Sequence, residues 1–139
     1  MLPINLVAVL VAAVAAFVLG FLLHGPILGK LWMKLADIHP TGNEKLSAMI
    51  PQMAWNMLSN IVTSYVLAII YLFVSTSSYG SGAGVYTGII TALWVWFGFL
   101  LTSTSIEVIW MGKKAKLWMF DSVCSLIVMI IMGVIISVL

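Results

Sequence analysis

A chain of 139 residues that is 63% hydrophobic and 7% charged cannot coat a water-facing globule, where about a quarter of residues are ordinarily charged. Its mean hydropathy of +1.21 points to lipid as the main surround, and polytopic membrane protein is the class that fits. A net charge of +2 without arginine argues against nucleic acid as a partner, and the single cysteine, Cys124, excludes an internal disulfide or a cysteine metal cluster.

Four apolar stretches, at about 4–23, 51–74, 85–109 and 117–139, each supply the roughly 20 residues needed to cross a hydrocarbon core about 30 Å thick. Lipid offers the backbone no hydrogen-bond partner, and the stretches lack the alternation of barrel strands, so each is predicted to be a helix. The expected fold class is all-α: four antiparallel transmembrane helices in one membrane domain spanning 1–139. The first stretch has the length of a signal peptide, but its basic residues follow rather than precede it, so it reads as a retained span.

Along span one, Ala8, Ala12, Ala16 and Gly20 recur at a spacing of four, and Gly84, Gly88 and Ala92 repeat the pattern in span three. Small residues on one face let helices approach closely, so both stripes are expected to be packing faces. Gly25-Pro26 is expected to end span one, glycine as a cap and proline as a stop. Over about 27–36, Ile27, Leu28, Leu31 and Leu35 share one side of a helical wheel, and Lys30, Lys34 and Asp37 the other. That pattern predicts a short amphipathic helix lying in the interface. His39-Pro40-Thr41-Gly42-Asn43 reads as a turn, and Pro51 as the opening or an early kink of span two.

All six lysines fall in the two loops that follow spans one and three. The positive-inside rule then places both lysine loops in the cytoplasm and both termini outside. Trp32, Trp55, Trp110 and Trp118 are expected near the inner interface, and Tyr71, Tyr79 and Tyr86 near the outer one. Trp94 and Trp96 are expected deeper, filling space.

Several of these residues carry a resemblance. Gly20, Gly25-Pro26, Gly29-Lys30 and Trp32-Met33-Lys34, then Glu107 with a glycine and basic residues before span four, Asp121 and Gly133, resemble a family of small four-helix membrane proteins. It is catalogued as domain of unknown function seventeen sixty-one. The resemblance implies a four-span bundle in a bacterial inner membrane and no established activity. It departs at His24, where the family often carries an aromatic residue.

Two polar features bear on chemistry. Gln52, Asn56, Ser59, Asn60 and Thr63 recur at three and four residues, hence on one face of span two, with Asn60 roughly 13 Å past Pro51 and near mid-bilayer. They read either as interhelical glue, with Thr91, Thr102 or Ser105 as partners, or as a hydrated lining for a small solute or ion. The second feature is the ionisable set His24, Glu107 and Asp121. Acids within a membrane often mark a proton or ion path. Against that, Asp121 gains from its helix dipole and Glu107 can pair with Lys113 or Lys114. If His24 approaches Asp121, the pair has the chemistry to shuttle protons near neutral pH. No ligand spacing suggests a metal, and no cofactor is expected.

The function expected from these features is a small channel- or transporter-like bundle for a proton, cation or small solute. The alternative is a non-catalytic scaffold or accessory subunit with a membrane protein partner; a lipid-modifying enzyme ranks last. A homo-oligomer, preferably a dimer, is expected through the Ala8–Gly20 or Gly84–Ala92 face.

Overall fold

The computed structural model describes residues 4–43, 45–78 and 82–139, and Tyr79 lies outside them. Among the described residues there are four helices long and apolar enough to cross a bilayer: Leu6–Ile27, Ser47–Thr76, Val85–Trp110 and Ala115–Val138. They are built from α1 (Leu6–Leu22), α3 (Leu46–Thr76), α4 (Val85–Val95), α5 (Thr102–Trp110) and α6 (Ala115–Val138), with α2 (Gly29–Ala36) between the first two spans. A π-helical turn at Leu23–Ile27 extends α1, and a second at Trp96–Leu101 joins α4 to α5. Outward-facing Leu10, Val14, Val18, Leu58, Val62 and Phe97 are exposed, as helices surrounded by lipid require.

Span four is the hub of the bundle, packed against span one and α4, while span two closes the ring by packing on span one and α4. Inside a bilayer there is no hydrophobic drive between helices, so close approach and dispersion must hold them. Small residues provide that approach. A Cβ added at Gly88 would run into the Gly133 carbonyl, and one at Gly133 into the Gly88 carbonyl, so spans three and four meet backbone to backbone. Ala8, Ala12, Ala13 and Ala16 are all buried, and Val9, Leu67, Ala68, Ala92, Met129, Met132 and Ile136 complete the core. Ser64, fully buried, donates to the Val9 carbonyl of span one at 3.0 Å, a class of bond that averages about 0.6 kcal/mol in membranes. Asn5 caps α1 by accepting from the Val7 and Ala8 amides, and its own amide donates to the Leu139 carbonyl at 2.8 Å.

All of this lies in the half of the bundle that carries the termini. At the lysine end the helices part, and span two keeps its close packing against span three only along α4.

Several expectations change. The alanine stripe of span one and the Gly88–Ala92 stripe are covered by the chain's own helices, so a second copy would have to seat elsewhere. A Cβ added at Gly20 would meet no neighbour, and neither would one at Gly84, so neither glycine is needed for close approach. Gly84 precedes α4 with φ 148, a conformation that strains any side chain, and its amide donates to the Tyr71 hydroxyl. Gly25-Pro26 does not stop the helix. Pro26 sits within a π turn, and the chain breaks only at Leu28 (φ −120, ψ 8). Span two begins before Pro51, which lies inside it. Trp94 does not fill space: it is 70% exposed, whereas Trp96 is half-buried.

Candidate functional site

Where the helices part, they leave an open cavity of about 660 Å³ lined mainly by spans one, two and four. A volume of that order suits a small molecule. Its closed end is formed by Ala16, Met129 and Met132, each no more than 2% exposed, while Gln52 and Asn56 at the lysine end are exposed. The walls are mostly apolar, with Phe17, Phe21, Met53, Leu100 and Val128 among them. Polar groups stand on two sides. A separate, smaller cavity of about 120 Å³ near Asn5 and Tyr71 at the opposite end brings together no ionisable cluster.

One polar side is the face of span two. Gln52, Asn56, Asn60 and Thr63 line the cavity, and Ser59 does not; it is exposed beside them. The expected interhelical partners are spent locally: Thr91 donates to the Thr87 carbonyl, Thr102 to Gly98 and Ser105 to Thr102. The amides likewise bond along their own helix. Asn60 Nδ2 donates to Asn56 Oδ1 at 2.8 Å, and Gln52, in its hydrogen-bonding orientation, donates to the Ala48 carbonyl at 2.9 Å. Asn56 Nδ2, Asn60 Oδ1 and the Thr63 hydroxyl have no further partner among the described residues, which leaves donors and an acceptor available to a guest.

Facing them is the ionisable cluster. The π turn of span one places His24 so that Nδ1 lies 3.0 Å from the Gly20 carbonyl and Nε2 lies 3.5 Å from Asp121 Oδ1. Trp32 and Phe120 meet the imidazole edge-on, with centroids at 5.7 and 5.8 Å. A Cβ at Gly29 would come within 2.9 Å of the His24 carbonyl, so α2 starts hard against the backbone of the turn. Asp121 Oδ2 lies 3.0 Å from Lys113 Nζ, and the same ammonium donates to Glu107 at 2.9 Å. Burial disfavours the Lys113 charge, but the two carboxylates outweigh it and hold this lysine above its ordinary range.

The sequence set His24, Glu107 and Asp121 is therefore brought together, with Lys113 as the shared cation. Lys114 instead binds Asp37 at the end of α2, and that hydrogen bond and charge hold the exposed Asp37 carboxyl below the usual range. Sequence reasoning missed Trp96, whose indole donates to the Ser122 carbonyl and to Ser125 Oγ at 2.9 Å, and Trp118, which donates to Thr104 at 3.0 Å. It also missed the π turns. Both border the cavity, and π turns are frequent at functional sites.

The chain belongs to the family described as protein of unknown function (DUF1761), whose model matches residues 7–137. Neither the curated proteins nor the solved structures contain a match.

Proposed function

We propose that the protein is a small carrier-like membrane bundle whose solute site is the cavity between spans one, two and four. The observation that supports this reading is the cavity's asymmetry: it is open beside Gln52 and Asn56 and closed by Ala16, Met129 and Met132. A closed end favours a carrier over a standing pore. Mostly apolar walls with free amide and hydroxyl groups suit a small uncharged solute that offers hydrogen bonds and some apolar surface. The distribution of lysines supports an open end that faces the cytoplasm and termini that face outward, and the family resemblance supports a bacterial inner membrane.

Stopped-flow swelling of proteoliposomes tests the proposal, with urea, acetamide, butyramide and glycerol as probes. The expected result is faster reswelling with at least one probe, abolished by Asn60→Leu. Rates equal to protein-free liposomes across the panel would sink the carrier reading and leave the non-catalytic subunit as the better account.

A further inference from the structure

We propose that His24 and Asp121 form a site for a single proton at the mouth of the cavity, and that the proton is therefore the ion linked to solute binding there. The second half rests on the carrier reading; the first does not.

The argument is one of donors and acceptors. A backbone carbonyl can only accept, so at 3.0 Å from the Gly20 oxygen His24 Nδ1 must carry a hydrogen. In the neutral ring Nε2 is then a bare lone pair, and it faces Asp121 Oδ1 at 3.5 Å. Two acceptors confront each other. Oδ1 is buried and has no hydrogen-bond partner, a state that natural structures rarely tolerate without a reason. One proton, taken from water at the open end, satisfies both atoms, whether it sits on Nε2 and points at the carboxylate or on Oδ1 and points at the ring. Two protons would set donor against donor. The separation exceeds the usual limit of about 3.2 Å, so loading the proton draws the ring and the carboxyl together.

The surrounding charges lead to the same count. Glu107 from the end of α5, Asp121 from α6 and Lys113 from the loop between them sum to one negative charge, which one proton cancels. The other groups around the ring are Trp32 of α2 and Phe120 of α6, neither ionisable. Cys124 lies further along the cavity wall, and span two presents no ionisable side chain to the cavity. Lys30 and Lys34 of α2 are exposed. A metal cation fits poorly, because Lys113 occupies Oδ2 and leaves one oxygen and one ring nitrogen, where hard cations take about six or more oxygens. Among the described residues no three metal-binding side chains converge.

The test is nitrogen NMR of histidine-labelled protein in lipid nanodiscs, with His39→Gln in the background so that only His24 reports. Nδ1 is expected to stay protonated throughout the titration while Nε2 alone switches. Asp121→Asn is expected to change how Nε2 responds, because it removes the carboxyl that shares the proton. Exchanging sodium for a bulky organic cation at constant ionic strength is expected to change nothing. A neutral ring protonated at Nε2, a titration indifferent to Asp121→Asn in a folded sample, or a sodium-dependent protonated fraction would each overturn the site. If Asp121→Asn does not fold, the tautomer and the sodium comparison in the His39→Gln protein still decide. A correct signature with no solute movement in the swelling assay would keep the proton site and remove its coupling to a carrier.

Discussion

Around Ala12, span one belongs to a buried cluster with Leu67, Ala68, Ala92, Met129 and Met132; around Gly20, further along the same helix, it borders a cavity. The terminal half is held by close approach: Gly88 on Gly133, the buried alanines, and Ser64 reaching the Val9 carbonyl. In the lysine half, Gly20 has open space where a Cβ would stand, the amides bond along their own helix, and charged pairs gather at the corner. The same residue types serve opposite ends. A glycine in the first half lets two backbones meet, and a glycine in the second leaves room. The contrast sets a close-packed half against a half that carries the cavity, where the proposed solute chemistry belongs.

The sharpest way to break that contrast is to add bulk at a glycine in each half. Gly88→Leu or Gly133→Leu drives a side chain into backbone, and the expected loss exceeds the usual overpacking cost of about 3 kcal/mol. Gly20→Ala is expected to stay within about 0.5 kcal/mol, as at a site without close neighbours. Thermal unfolding in detergent reads both, and equal losses would end the distinction.

Next in size is Lys113→Met, which strands two carboxylates. Allowing for their partial exposure, a loss of about 1 kcal/mol is expected. The sign of the pH dependence follows from the raised folded-state value. The lysine's contribution is complete below 10.5, its ordinary value, and fades as pH rises through the folded-state value above it. Unfolding midpoints of parent and variant should therefore converge only in strong alkali; convergence near neutrality would contradict the shared-cation geometry.

Smaller still, Ser64→Ala should cost about 0.6 kcal/mol, whereas Asn60→Ala, whose bond is within its own helix, should cost less. Reversal of that order would place the structural hydrogen bond in the wrong half. The least effect belongs to the exposed Asp37–Lys114 clasp. The carboxyl is held low, so its contribution is present above 3.8 and disappears as pH falls through the depressed value. Hydrogen exchange in α2 should rise there without a change in the global unfolding midpoint.

Four spans, their order and the close-packing role of Gly88 and Ala92 were legible in the sequence, because length, hydropathy and small-residue spacing are local properties. The clustering of Glu107, Lys113 and Asp121 was half legible, since these groups lie close in sequence around one corner. His24 was named with them, but its approach to Asp121 was not legible: the two stand at positions 24 and 121, and only the bundle brings them together. Pro26 misled, because proline normally stops a helix and nothing in Gly25-Pro26 announces a π turn. The amides of span two pointed to the right face but to the wrong partners, because Thr91, Thr102 and Ser105 satisfy themselves on their own carbonyls. Trp96 reads as apolar bulk until Ser122 and Ser125 are seen beneath its indole.

The central claim is that water enters the bundle from the lysine end as far as Asn60 and stops before Ala68. With Cys124→Ser as background, Asn60→Cys and Ala68→Cys are made singly and exposed in native membranes to a small impermeant thiol reagent from each side. The account predicts labelling of the Asn60→Cys protein from the lysine side, with the Ala68→Cys protein protected until it is denatured. Protection at both positions, or equal labelling at both, would contradict it.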